Sequence, residues 1–112
     1  MTADLYPAAR DLLAKLVSFD TTSRGSNLAL VEWVEGYLDG LGVPHRRVPN
    51  EDGDKSNLLA TIGPSVAGGA VLSGHTDVVP VDGQPWSSNP FELTQKGERL
   101  YGRGTCDMKG FL

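Results

Sequence analysis

Cysteine is almost missing from this sequence. Cys106 stands alone among 112 residues, so no internal disulfide can form and no cysteine-built zinc site can be assembled. An unbroken apolar run near the ~20 residues of a membrane helix is missing too, and the opening Met1-Thr2-Ala3-Asp4-Leu5 lacks the basic-then-apolar order of a signal peptide. Positive charge is scarce: ten Lys and Arg face fourteen Asp and Glu, the formal net charge is −4, and the pI is near 5.0. The only local basic cluster is His45-Arg46-Arg47. Without a broad basic face to neutralise phosphates, neither nucleic acid nor an anionic membrane is expected as the main partner. No repeat, low-complexity tract or linker divides the chain. These absences leave a reducing compartment, the cytoplasm, as the expected address.

What is present suits a folded piece. Apolar residues make up 39% and charged residues 21%, unlike the apolar-poor balance of a disordered tail. Ala8, Leu12, Leu13, Leu16 and Val17 recur at helical spacing after Pro7, which fits a first turn where its missing N–H does no harm. After a polar, breaker-rich stretch from Ser18 to Gly25, Ser26 or Asn27 is placed to cap a second helix. Leu28, Val31, Val34, Leu38 and Leu41 form its expected buried stripe, Glu32, Glu35 and Asp39 its wet face, and Gly42 its stop. Arg46-Arg47-Val48 reads as extended, and the charged turn from Asn50 to Ser56 reads as a hairpin or edge connection. The short apolar runs Leu58-Leu59-Ala60-Thr61-Ile62 and Ala70-Val71-Leu72-Ser73, bounded by Gly63-Pro64 and Gly68-Gly69, read as buried strands. The expected class is α/β, a mixed sheet covered by helices.

The run Ala70 to Ser73 leads directly into Gly74-His75-Thr76-Asp77, so an imidazole and a carboxylate two residues apart sit where an expected core strand emerges. Neutral imidazole suits zinc or cobalt, and a ligating histidine needs its other ring nitrogen held by an acceptor, a place open to Asp77. The plainer reading is a hydrogen-bonded pair at a strand end. A second constellation, Tyr101-Gly102-Arg103-Gly104-Thr105-Cys106-Asp107-Met108-Lys109-Gly110, sets a carboxylate among glycines that permit close backbone approach. Asp107 could bridge two divalent ions through its two oxygens, or serve as a helix N-cap for Met108 onward.

Together, Gly74-His75-Thr76-Asp77-Val78-Val79-Pro80, Trp86, Pro90-Phe91, Leu100-Tyr101-Gly102-Arg103-Gly104 and Asp107-Met108-Lys109-Gly110 resemble a metallopeptidase family. It is the family that contains acetylornithine deacetylase, succinyl-diaminopimelate desuccinylase, aminoacylase and glutamate carboxypeptidase. The two N-terminal helices and Ser56-Asn57-Leu58 match its opening more loosely. The resemblance implies the catalytic domain of a two-zinc exopeptidase-like fold. It also implies His75 as a terminal ligand of one metal, Asp107 as the bridging ligand, Asp77 as the catalytic-site residue that orients His75, and a cis peptide at Asp107-Met108. Two Zn2+ or Co2+ ions per complete site are implied as cofactors, with a small N-acyl amino acid as substrate and a homodimeric full-length parent. Cys106 and the loop Val81-Asp82-Gly83-Gln84-Pro85-Trp86 resemble the branch that hydrolyses N-acetylornithine in arginine biosynthesis.

His75 and Asp107 are fewer ligands than a pair of metals needs. The family places a Glu-Glu pair, a further acidic ligand and a distant histidine later. The chain is therefore expected to be the N-terminal portion of one metallohydrolase catalytic domain, without the dimerisation or lid domain and inactive alone. The alternatives are another amidohydrolase or carboxypeptidase of the same family, or a noncatalytic binding module that keeps the fold. Among the other residues, Cys106 reads as packing rather than a nucleophile, and Lys109-Gly110 fails the phosphate-loop pattern. His45 reads as part of a solvated edge, Trp86 as an anchor for its own loop or a substrate contact, and Arg103 as a carboxylate binder of undetermined direction.

Overall fold

The computed structural model describes residues 3–112. Helix α1 spans Tyr6–Ser18 with Pro7 in its first turn. Its entry is held by Asp4, whose Oδ1 accepts from the Tyr6 N–H at 3.0 Å. The expected stripe of this helix is buried only at its C-terminal end: Leu16 and Val17 are buried, Leu12 and Leu13 half-buried, and Ala8 exposed. Helix α2 spans Leu28–Gly40. Asn27 occupies its N-cap position, but its side chain makes no cap; Ser26 Oγ instead accepts from the Leu28 N–H at 3.1 Å. The helix closes as Gly42 predicts. Gly42, at φ 68°, donates to Asp39 O at 3.0 Å while Val43 donates to Leu38 O at 2.9 Å, the paired bonds of a left-handed C-terminal turn. Of the expected α2 stripe, Val31 is buried, Leu28, Val34 and Leu38 are half-buried, and Leu41 is 61% exposed. Leu30 takes the fully buried place that Leu41 was expected to help fill.

Strands β1 (His45–Pro49) and β2 (Ser56–Ala60) form an antiparallel hairpin, with Arg47 opposite Leu58. The charged turn between them is thus a hairpin connection, but Leu59 on β2 is 46% exposed and Ile62 85% exposed, so β2 is not the buried strand expected. A second hairpin, unforeseen in the sequence, pairs β3 (Thr94–Lys96) with β4 (Arg99–Tyr101). Its two-residue loop is Gly97-Glu98. Gly97 has φ 62° and Glu98 is not among the positive-φ residues, which is the primed turn that needs glycine only at its first central position.

The expected single mixed sheet is not formed. Among the described residues there are two sheets, of two strands each and both antiparallel. Residues 70–73 form no strand, and Val71 and Leu72 are each 87% exposed. A strand requires a hydrogen-bonded neighbour, and the bridge that follows this segment is the parallel pairing Thr22↔Val78. Val78 N donates to Thr21 O and Ser23 N to Val78 O, both at 3.0 Å. This bridge sews the exit of α1 to the segment carrying His75 and Asp77.

The buried core is small: Leu16, Val17, Leu30, Val31 and Val78, with the polar Thr21, Thr22, Ser56 and Lys109. The radius of gyration is 15.6 Å and the shortest extent 23 Å, against about 13 Å for a compact domain of this length. The protein is a flat layer. A wide groove runs along its face between α1, α2, β2, residues 71–77 and residues 109–112.

Candidate functional site

Two segments far apart in sequence meet at His75. Its Nε2 lies 3.0 Å from Asp107 Oδ1, while its Nδ1 lies 3.0 Å from the backbone oxygen of Asp77 and 3.2 Å from Asp77 Oδ1. Two acceptors at Nδ1 place a proton there. Nε2 then faces a carboxylate oxygen, an arrangement favourable only if Nε2 is protonated as well or a cation satisfies both groups. These acceptors raise the pKa of His75, the Asp77 backbone oxygen most and the Asp107 carboxylate next. All three side chains are open: 48% exposed for His75, 53% for Asp77 and 84% for Asp107.

Asp77 is held in turn. Its Oδ2 accepts from Ser23 Oγ at 2.6 Å, which is the main cause of its lowered pKa. Ser23 is fixed by its bridge to Val78 and by Lys55, whose ammonium donates to the Ser23 carbonyl. On the other side of the turn, Thr21 Oγ1 donates to Thr76 O at 2.6 Å. Asn27 Nδ2 donates to Thr76 Oγ1 at 3.0 Å and to Ser56 O at 2.9 Å, and Asn27 Oδ1 accepts from the Ser56 N–H at 3.0 Å. One amide therefore ties α2, β2 and the His75–Asp77 turn together. Its position before a helix signals a cap, and these contacts are the reason it does not act as one.

Residues 102–111 run as consecutive turns with no helix, and the peptide between Asp107 and Met108 is cis. The glycines here admit the chain's own packing. A Cβ on Gly104 would lie 3.0 Å from Val78 Cγ1 and 3.1 Å from Lys109 Cδ, and one on Gly102 would lie 2.9 Å from Val17 Cγ1. Lys109, 1% exposed, donates from Nζ to Phe19 O at 2.7 Å. Burial lowers its pKa to about 8, with the Asp20 carboxylate opposing. It is a strut between the Asp107 turn and the end of α1.

Several expectations are corrected here. Cys106 is exposed rather than packed, because the turns around it direct Gly102, Gly104 and Lys109 inward instead. His45 is not at a solvated edge: its side chain is 14% exposed, with Nδ1 2.9 Å from Val43 O and Nε2 3.6 Å from Asp39 Oδ1. Glu35, expected on the wet face, accepts from Arg47 at 2.8 and 2.5 Å and is 20% exposed. Trp86 anchors its own loop, donating to Gln84 Oε1 at 2.9 Å. The Arg103 guanidinium lies 5.1 Å from the Trp86 ring centre and donates to Gln84 Oε1 and, at 3.4 Å, to Pro80 O. Arg103 thus faces the loop 80–86.

A histidine nitrogen and a carboxylate oxygen form a donor pair of the kind borderline divalent metals accept. Among the described residues, no group of three or more His, Cys, Asp or Glu side chains is gathered for a metal. Also among them, no helix is long and apolar enough to cross a membrane.

Residues 71–112 match the sequence model of peptidase family M20/M25/M40. Residues 71–112 thus carry the sequence pattern of this family. The matched span contains His75, Asp77 and Asp107. Relatives named acetylornithine deacetylase reach beyond it. That of Pasteurella multocida (strain Pm70) is 46% identical over 96 residues, 85% of this chain and 25% of the relative. That of Proteus mirabilis (strain HI4320) is 45% identical over 107 residues, covering 92% and 27%. That of Myxococcus xanthus is 40% identical over 115 residues, covering 98% and 30%. The chain thus spans between a quarter and a third of the length of these relatives.

Proposed function

We propose that this chain supplies one wall of the active site of a metal-dependent amide hydrolase of the acetylornithine deacetylase type. The reaction is N2-acetyl-L-ornithine plus water to L-ornithine plus acetate, a step of arginine biosynthesis in the cytoplasm. The observation that carries the reading is the orientation of His75: both acceptors of Asp77 hold Nδ1, and Nε2 is left facing the Asp107 carboxylate at 3.0 Å.

In this reading His75 and Asp107 would hold a divalent ion, Zn2+ or Co2+, and Asp107 would also serve a second. Asp77 is a positioning residue that fixes the ring of His75. When bound, the ions polarise the amide carbonyl and lower the pKa of water. The open flank at Asp107 leaves room for the substrate amide. Residues 1–112 are the N-terminal portion of a single two-zinc exopeptidase-like catalytic domain. The general base and the remaining ligands come from elsewhere in the domain, and the parent is a homodimer. The flat layer with its thin core, and the quarter to third of each relative's length that it spans, support that division.

The test is acetate release from N2-acetyl-L-ornithine by the full-length protein containing these residues, supplied with Zn2+ or Co2+. His75→Ala and Asp107→Ala should abolish it, and Asp77→Asn should lower it about 10–100-fold, the range for a residue orienting a ligand. Undiminished turnover in His75→Ala and Asp107→Ala would overturn the site. Faster turnover of succinyl-diaminopimelate would overturn the substrate but leave the site standing.

A further inference from the structure

We infer that Ser23, at the exit of the first helix, is a positioning residue for the metal site, acting through Asp77 on His75. The inference rests on the reading of His75 and Asp107 as ligands. Asp77 is a half-exposed side chain in a turn, and a free carboxylate there would rotate. Its two oxygens face different partners: Oδ2 accepts from Ser23 Oγ at 2.6 Å, and Oδ1 lies 3.2 Å from His75 Nδ1. The hydroxyl thereby selects the rotamer in which the other oxygen meets the imidazole.

Ser23 can do this because it is itself held. Its N–H donates to Val78 O at 3.0 Å, and its carbonyl accepts from Lys55. The bridge Thr22↔Val78 and the bond from Thr21 Oγ1 to Thr76 O keep the two segments in register across 55 residues. The line from α1 to the donor pair is then Ser23 to Asp77 by a hydrogen bond to a carboxylate, and Asp77 to His75 by the ion-pair contact of Oδ1 with Nδ1. A threonine at position 23 keeps the hydroxyl; an alanine removes it and leaves the backbone bridge intact.

The experiment measures Zn2+ affinity of the full-length protein by competition with a chromophoric chelator, for Ser23→Ala, Ser23→Thr, Asp77→Ala, the double variant Ser23→Ala/Asp77→Ala and His75→Ala. Ser23→Ala should weaken binding about tenfold, the low end of the range for outer contacts of a metal site, and Ser23→Thr should restore it. In the Asp77→Ala background, Ser23→Ala should have no further effect, because its action passes through that carboxylate. Wild-type affinity in Ser23→Ala, failure of threonine to rescue, or an additive double variant would each overturn the inference. Unchanged affinity in His75→Ala would instead overturn the underlying site, which separates the two failures.

Discussion

Replacing Asn27 with alanine should loosen the joint between α2, β2 and the His75–Asp77 turn. Three hydrogen bonds are lost: Nδ2 to Ser56 O at 2.9 Å, Nδ2 to Thr76 Oγ1 at 3.0 Å, and the Ser56 N–H to Oδ1 at 3.0 Å. Each neutral bond contributes about 1 kcal/mol net. Ser56 is only 5% exposed, so its backbone groups are not simply rehydrated when the amide is gone. The sum is about 3 kcal/mol, which is about a hundredfold in a local opening equilibrium. Hydrogen exchange of the full-length protein reads this residue by residue. The Ser56 amide should exchange about a hundredfold faster in Asn27→Ala. The Val43 amide, which donates to Leu38 O at the far end of α2, should keep its rate. An unchanged Ser56 rate would refute the joint, and equal acceleration at Ser56 and Val43 would refute its being local.

Gly110→Ala would place a Cβ on the backbone oxygen of Thr105. Overpacking of this kind costs about 1–3 kcal/mol, and the melting temperature should fall accordingly, whereas Gly36→Ala, with open space around it, should not lower it. Asp20 has a lowered pKa, chiefly because Thr22 Oγ1 and N–H donate to its carboxylate. A depressed carboxylate contributes stability above its unfolded pKa near 3.8 and loses it as pH falls through the lower folded value. Asp20→Asn should therefore flatten the acid limb of a stability–pH profile below pH 4 and leave its slope unchanged at pH 5–6; an unchanged acid limb would refute this. Arg103→Ala removes the cation over Trp86, an interaction of about 0.5–2 kcal/mol. In a Trp33→Phe background the tryptophan emission should shift to the red as the loop 80–86 loosens, and an unshifted spectrum would show that Arg103 does not hold it.

Local chemistry was the legible part of the fold. Pro7, the Gly42 stop and the charged turn before Ser56 each act within a few residues, and all three mark the boundaries they predict. Burial was less legible. Periodicity identifies which side of α2 is apolar, but whether Leu41 or Leu30 is covered depends on what crosses that helix. The exposed Val71 and Leu72 show the same limit: their pattern reads as a strand, and only a neighbouring strand could make it a buried one. The turn at Gly97 carried a readable glycine signal, but β3 and β4 have three residues each, too few for alternation to stand out. At the candidate site, His75, Asp77 and Asp107 were visible as residue types at a telling spacing, and the structure brings them together. Ser23, Asn27 and Lys109 were not, because each works by a contact made across the fold. A serine in a polar loop, an asparagine before a helix and a lysine after glycines all have ordinary local readings.

The division of labour among these residues follows from their exposure. Under the proposed reading the donor pair must be reachable, so His75 and Asp107 cannot be fixed by burial in the way Leu30 or Val31 is. Orientation has to come from hydrogen bonds to something that is fixed, and the nearest rigid body is the junction of α1 and α2, where Leu16, Val17, Leu30 and Val31 make the core. Thr21, Thr22, Ser23 and Asn27 lie between those two helices in sequence and carry the junction's rigidity outward to the turn at residues 75–78. Lys109 does the same for the Asp107 turn through Phe19 O. Both halves of the donor pair are thus referred to one frame, the end of α1. Lys109→Ala should accordingly disturb the spacing of His75 and Asp107 without touching either. It removes the ammonium bond to Phe19 O, which keeps only the Thr21 N–H at 3.1 Å, a loss of about 1–3 kcal/mol, and frees the Asp107 turn. Metal affinity of the full-length protein should fall in this variant while Lys109→Arg, which keeps a donor, falls less; equal affinity in wild type and Lys109→Ala would show that the Asp107 turn is held by other contacts.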